Sequence, residues 1–353
     1  MNVLFIPFSQ ENPYQKELAR YMKNHDVDVI MKDEESILPI LKVVFFTGKP
    51  DILHLHWTHT IIKSRNTVER VIKGIRFLGE IIFLKMIRVK IIWTVHNISD
   101  HDFEKNRIEN VIHKYFLMLC DMVIVHCEDA IKAVKLYYKK IGLINRKICV
   151  IPHGNYIESY KNDISSEKAR KLLGFESHET VFGFFGNIRS YKGVFDLVQA
   201  FQELEEPCIR LLLVGKPQTY DLEKKLQRIA NDDNRISLIL GYVPAKRIQI
   251  YLNCMDVIVL PFRKILTSGS ALLAMSFGKP VVAPNSGCLK ELFGDNGNFL
   301  YEADNEKSLI DAMKKSLKAD LRELGKHNFD LALKAGWKFS AKQTAEVYKT
   351  ILE

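Results

Sequence analysis

Cysteine is scarce and scattered along this 353-residue chain. Its six copies, Cys120, Cys127, Cys149, Cys208, Cys254 and Cys288, form no C-x-x-C pair, so neither a zinc knuckle nor a thioredoxin-like redox site is indicated. Several lie inside apolar runs, as Cys149 does in KICVIPHG. The expectation is buried free thiols in a reducing compartment. The opening MNVLFIPFSQENP has neither the basic start nor the long apolar run of a secretory signal. No stretch approaches the ~20 apolar residues that span a bilayer. The chain has no G-x-x-x-x-G-K-[ST], which excludes a P-loop NTPase. Its first apolar strand runs into PFSQENP rather than G-x-G-x-x-G, which disfavours a nicotinamide dehydrogenase. There is no H-E-x-x-H spacing and no D-x-D at a strand end, so no metal site is expected. No nucleic-acid module is recognisable, and no nucleic-acid partner is expected.

What is present is ordinary globular composition, 47% hydrophobic and 26% charged, at a length that fits two domains. Short apolar runs alternate with helical patterns: NVLFIPF, VDVIM, DILHLHW, VKIIWTVHN, DMVIVHC and KICVIPHG read as strands, with helices between them. A polar stretch, GNYIESYKNDISSEKARKLLGFESHE, interrupts the alternation and reads as a linker. The pattern restarts at TVFGFFGNI and continues through IRLLLVG, RISLILGY, MDVIVLPF and PVVAP, and from about Lys307 the remainder is helical. The fold class is α/β, two doubly wound Rossmann-like domains with a cleft between them. Domain boundaries are expected at 1–160 and 161–334, and ligands are expected at the carboxyl ends of the strands.

The net charge of +9 makes acidic partners plausible. From Ile61 to Lys90, eight basic residues, among them Lys73, Arg76, Lys85 and Arg88, face only Glu69 and Glu80, a local net of +6. Apolar residues interleave with them. The segment reads as one basic amphipathic helix, either lying on an anionic membrane surface or packed on the sheet with a solvated basic face. The expected placement is cytoplasmic, peripheral on the inner face of the membrane.

Three constellations carry chemistry. In GFFGNIRSYKG, an apolar strand ends at Gly186 and a short loop bears Arg189 and Lys192 into a helix near Val194. Glycine allows close backbone approach, the helix N-terminus favours anions, and the two cations can neutralise a diphosphate leaving group. In LPFRKILTSGSALLAMSFGKPVVAP, Thr267, Ser268, Gly269 and Ser270 open a helix as a second phosphate-ready loop, or as an ordinary serine cap. In the first half, LHLHWTHT and WTVHNISDHD concentrate His54, His56, His59, His96 and His101 at strand ends. Histidine beside carboxylate suits general-base work or recognition of sugar hydroxyls. His56, Trp57 and Asn97 are candidates to line an acceptor cleft. VIPHGNY, with His153, reads as a hinge.

Taken in series, DILHLHW, TVHN, VIPHG, GNIRSYKG, LLLVG, MDVIVLPF, AMSFGKPVVAP and GCLKELF resemble the GT-B glycosyltransferases of family 4 over nearly the whole chain. The resemblance implies a hexosyltransferase that uses a UDP- or GDP-sugar as donor substrate, with no resident cofactor. Arg189 and Lys192 would be the diphosphate clamp, and His96 the histidine facing the donor sugar. Tyr242 and Val243, in GYVP, would meet the nucleobase, and Glu291 would lie near the second domain's cleft wall. The last helix, about 335–353 with Trp337 and Tyr348, would cross back onto the first domain.

One departure stands out. The family's usual E-x7-E is replaced by Ile265 and Leu273, with TSGS between them. The chain in this respect resembles a divergent branch of bacterial exopolysaccharide and capsule assembly, in which TVHN continues to a His-acid pair, here His101 and Asp102. An inverting reaction needs a base to deprotonate the acceptor hydroxyl, and Asp102 is the candidate. The expected acceptor is a saccharide, lipid-linked in view of the basic helix. A non-catalytic partner subunit and a sugar-nucleotide epimerase on the same fold are the competing readings.

Overall fold

The computed structural model describes every residue except 35, 65, 97–106, 138–146, 264 and 295–297. The chain separates into two compact units, Met1–Gly154 with Ala335–Glu353, and Asn155–Lys334.

The first unit runs β1 (Asn2–Ile6), α1 (Pro13–Met22), β2 (Asp28–Met31), α2 (Pro39–Thr47), β3 (Ile52–Leu55), α3 (His59–Ile62), α4 (Thr67–Met86), β4 (Lys90–Thr94), α5 (Arg107–Leu119), β5 (Met122–Val125), α6 (Glu128–Tyr137) and β6 (Ile148–Val150). The second runs α7 (Ser166–Leu173), β7 (Thr180–Phe185), α8 (Val194–Gln202), β8 (Ile209–Gly215), α9 (Tyr220–Asp232), β9 (Ile236–Leu240), α10 (Ile248–Cys254), β10 (Val257–Val259), α11 (Gly269–Ser276), β11 (Val281–Pro284), α12 (Cys288–Phe293), β12 (Phe299–Tyr301), α13 (Glu306–Leu317) and α14 (Leu321–Lys334). The last helix, α15 (Trp337–Leu352), belongs to the first unit.

Among the described residues each unit holds one six-stranded sheet, with order β2-β1-β3-β4-β5-β6 in the first and β12-β11-β10-β7-β8-β9 in the second. Neighbouring strands are parallel throughout. Helices cover both faces of such sheets, which is why the central strands are apolar on both sides: β3 and most of β4 are buried. Strand order reverses between β1 and β3 in the first sheet and between β7 and β10 in the second. A doubly wound sheet opens a ligand crevice at that reversal, outside the carboxyl ends of the strands.

Helix α15 presents Trp337, Ala341, Ala345 and Tyr348 at helical spacing to Val3, Phe5, Tyr14 and Leu18, forming one buried cluster. Gly154 makes room for it, because a Cβ there would stand 2.2 Å from the Trp337 ring.

The structure corrects several expectations. The units divide at 154/155 rather than after 160, because Asn155 Nδ2 donates to the Ala332 carbonyl (2.8 Å) and the Tyr156 amide donates to Ser276 Oγ (3.0 Å). The polar stretch read as linker contains α7, capped by Ser165 and closed by Gly174 at φ +75°. Cys120, Cys149, Cys208 and Cys254 are free thiols, but Cys208 is exposed rather than buried.

The single helix expected from Ile61 is two, because Asn66 Oδ1 accepts from the amides of Val68 (2.8 Å) and Glu69 (3.3 Å) and starts α4 afresh. Its cations do not form a bare basic face. Lys73 pairs with Glu69 (2.7 Å), Arg76 faces Glu80 (3.9 Å) and Lys85 pairs with Asp121 (2.9 Å), while Arg88 lies beyond the helix at φ +63°. Arg70 and Glu109 form a buried pair (3.3 Å). What α4 exposes is an apolar stripe, Val68, Ile72, Ile75, Ile82, Phe83 and Met86. Phe45 and Phe46 of α2 and Val111, Tyr115 and Met118 of α5 are also exposed.

Candidate functional site

In the second unit, the reversal of strand order gathers two of the loops singled out in the sequence. β7 ends at Phe185 and turns through Gly186 at φ +138°. A single 3-10 turn, Ser190–Lys192, leads to Gly193 at φ +64° and then α8. A Cβ on Gly193 would meet the Pro261 carbonyl oxygen at 1.9 Å, so only glycine lets this turn lie against the end of β10. Arg263 locks the same corner, donating to both carboxylate oxygens of Asp196 on α8 (2.6 and 2.8 Å) and, through its amide, to the Tyr191 carbonyl.

The turn delivers Lys192 over Gly186. Its Nζ stands 3.2 Å from where a Cβ on Gly186 would be, and Ser270 Oγ stands 3.6 Å from the same point. Phe184 and Phe262 place their rings 5.9 and 5.6 Å from the ammonium. Burial, and next the charge of Arg189, lower the Lys192 ammonium to about 8. A buried cation with no ion pair to a carboxylate among the described residues gains from an anion placed beside it.

The serine loop contributes unequally. Ser268 Oγ accepts from the Ala271 amide (3.0 Å) and so caps α11, which leaves its O–H free to donate. Gly269 and Ser270 form the first turn of α11, where backbone N–H groups favour an anion, and Thr267 precedes them. Tyr242 follows β9, and Glu291 lies on α12 after β11, at the carboxyl edge of the same sheet. Tyr242 and Val243 sit in an exposed to half-buried loop, and Tyr242 is 63% exposed. Tyr160 lies close to Tyr242: burial first, and then that neighbour, push its hydroxyl up to about 12. Tyr156 sits between these elements, its ring 6.0 Å from Tyr160 and its hydroxyl 3.1 Å from a Cβ built on Gly269. Sequence reasoning missed Tyr156 and Tyr160, whose only signal was aromatic residues inside a stretch read as linker.

In the first unit, β3, β4, β5 and β6 each release a histidine at the carboxyl edge of the sheet: His56, His96, His126 and His153. They surround the ring of Tyr14 from α1, at centroid distances of 5.6, 4.7, 5.6 and 4.7 Å. Trp57 stacks on His96 (4.7 Å, 18°) and Trp337 meets Tyr14 edge-on at 5.1 Å. His56 Nδ1 lies 3.3 Å from His96 Nε2. His54 is a scaffold residue, held by Tyr348 Oη (2.5 Å) and Thr94 Oγ1 (2.7 Å). Burial, reinforced by the neighbouring histidines, lowers His54 and His153 to about 3 and takes His56 and His96 well below the usual histidine value, while burial alone takes His126 to about 4. At neutral pH the cluster is therefore uncharged. His153, read from sequence as a hinge, joins it, and His126 and Tyr14 were not singled out at all. Their strands and helix look ordinary in sequence, and only the strand order brings them together. Asn97, His101 and Asp102 lie outside the described residues. Among the described residues no three His, Cys, Asp or Glu side chains are arranged to hold a metal ion.

Comparison with known proteins defines the class first. Sucrose-phosphate synthase from Thermosynechococcus elongatus superposes with a TM-score of 0.78 over 99% of this chain and 98% of its own, at 18% identity. The HepE protein of Anabaena, solved in complex with UDP, superposes with a TM-score of 0.70 over 99% and 100%, also at 18% identity. The chain has the GT-B fold. The family follows from the sequence: residues 179–319 match the family described as Glycosyl transferases group 1, so the second unit carries a domain of that family. Over 316 residues, 89% of this chain and 82% of the relative, the protein is 25% identical to the GDP-mannose:glycolipid 4-beta-D-mannosyltransferase of Xanthomonas campestris pv. campestris.

Proposed function

We propose that the protein is a hexosyltransferase that moves a sugar from a UDP- or GDP-sugar to a saccharide acceptor carried on a lipid, in bacterial surface polysaccharide synthesis. The observation that carries the reading is the placement of the Lys192 ammonium over Gly186, beside Ser270, at the strand-order reversal of a group 1 glycosyltransferase domain. There, Lys192 and Arg189 bind the donor diphosphate and neutralise the charge that develops on it as it leaves. Gly269, Ser270 and the first turn of α11 add backbone donors. The relative named for GDP-mannose and a glycolipid supports a lipid-linked acceptor, and its beta linkage supports a reaction with a base on the acceptor hydroxyl. Asp102 and His101 remain the candidates for that base, with His96 beside the reacting sugar.

A lipid-linked acceptor of this kind supports a place at the cytoplasmic face of the membrane. The exposed stripe of α4, with Phe45 and Phe46, is the surface that inserts among lipids. The paired cations make this contact chiefly apolar.

Thermal shift with UDP, GDP, ADP, CMP and NAD tests the reading. A nucleoside diphosphate at 100 times its dissociation constant stabilises the fold by about 2.7 kcal/mol, and Lys192→Met abolishes the shift. No shift with any nucleotide would support the non-catalytic reading that the missing glutamates, at Ile265 and Leu273, keep open.

A further inference from the structure

His126 carries a lone pair that nothing among the described residues uses. Its Nδ1 lies 2.9 Å from the carbonyl oxygen of Ile151. A carbonyl only accepts, so Nδ1 bears the proton and, in the neutral ring, Nε2 is a bare acceptor. That atom is buried without a hydrogen-bond partner, in a side chain only 7% exposed. His56 Nε2, two strands away in the same cluster, is a second buried atom without a partner. Buried polar atoms are nearly always satisfied, so an orphan at a ligand-receiving edge of the sheet calls for a partner, whether ligand or water.

The surroundings define that partner. The cluster is uncharged, so a cation or an anion would lose its hydration here without a countercharge. The surroundings are aromatic: Tyr14 stands 5.6 Å from the His126 ring, and Trp57 and Trp337 pack against Tyr14. A pyranose offers C–H faces to aromatic rings and O–H donors at its rim. The position is the carboxyl edge of the sheet, where doubly wound sheets receive ligands.

We propose that His126 Nε2 accepts a hydrogen bond from a hydroxyl of the substrate sugar, making His126 a specificity-determining residue for that hydroxyl. The Ile151 carbonyl fixes the tautomer that makes this possible. The proposal rests on the transferase reading, since it needs a sugar to be bound.

The test uses full-length protein labelled with 15N at histidine, which reports the Nε2 of His126 directly. It is titrated with UDP, GDP, UDP-glucose, GDP-mannose and methyl α-D-mannopyranoside, with thermal shift in parallel. The expected result is that the His126 Nε2 resonance moves with a sugar-bearing probe and not with UDP or GDP. In turnover, H126F is expected to raise the KM of one sugar substrate roughly tenfold, the effect of losing one buried hydrogen bond, with kcat changed less than about twofold. H126Q, which keeps an acceptor oxygen near the Nε2 position, recovers most of that loss. An increase confined to the KM of the nucleotide sugar assigns the hydroxyl to the donor, and one confined to the saccharide assigns it to the acceptor. A diphosphate-induced thermal shift together with an unmoved His126 resonance overturns this proposal and leaves the transferase reading standing. The resonance moving with the glycoside, with no shift from any diphosphate, does the reverse. If H126F and H126Q lower the melting temperature equally and leave both KM values alone, the lone pair holds only a structural water and the proposal fails.

Discussion

The ammonium of Lys192 stands 3.2 Å from the point a Cβ would occupy on Gly186, so a side chain on that residue would crowd the other's charge. Gly186→Ala both strains a backbone at φ +138° and crowds the ammonium, and it is expected to lower kcat/KM by about 5- to 150-fold, on the order of 1–3 kcal/mol, with the fold retained. Lys192→Met is expected to cost more, about 2–4 kcal/mol at the transition state. Steady-state kinetics with circular dichroism as the fold control checks both, and wild-type turnover in the two variants would remove the diphosphate assignment.

Lys192 also sets a pH limit. Its ammonium is lowered to about 8 by burial and by Arg189, so the ligand-free protein loses this charge as pH rises through about 8. Diphosphate affinity is expected to be full at pH 7 and to weaken towards pH 9.5, with the weakening absent in Lys192→Met. Calorimetric titration across that range reads it, and a flat profile in the wild type would contradict the lowered value.

The buried histidines predict acid lability. His126 and His113 are held near 4 and His54 and His153 near 3, against about 6.5 in the unfolded chain. The unfolded state therefore binds more protons than the native state between those values. The stability these groups contribute is complete above pH 6.5 and is lost as pH falls towards 4. Each histidine adds a slope of at most about 1.4 kcal/mol per pH unit in that window. Denaturant melts at pH 7, 6, 5 and 4 are expected to show the loss, with a shallower slope for His113→Asn.

Membrane contact by an apolar stripe is expected to resist salt. Ile72→Ser with Ile75→Ser, both on the exposed face of α4, is expected to abolish sedimentation with vesicles and leave the unfolding free energy unchanged within about 0.5 kcal/mol. Binding lost in 0.5 M salt but retained by the double variant would instead return the contact to Lys73, Arg76, Lys85 and Arg88.

Much of the fold was legible. The apolar runs of β1, β3, β4, β7, β8 and β10 can only be strands buried on both faces, and the glycine-flanked turn of GNIRSYKG can only be a loop between strand and helix. Less legible were β12, three residues long, and α7, whose serine cap and closing glycine sat in a stretch read as linker. The charge of α4 was misread because its partners are remote: Asp121 is 36 residues from Lys85. The missed histidines share this cause, since nothing local distinguishes His126 from a residue that ends any buried strand.

The sequence by itself determined the class of structure and the make-up of the glycine-flanked basic turn, because hydrophobic period, glycine conformation and a basic turn are local properties of a few consecutive residues. The tertiary structure alone decided which charges on α4 are neutralised, that Ser268 caps α11 while Ser270 lies beside Gly186, and that four histidines from four strands enclose Tyr14. Those are relations between segments tens of residues apart, set by strand order and helix packing.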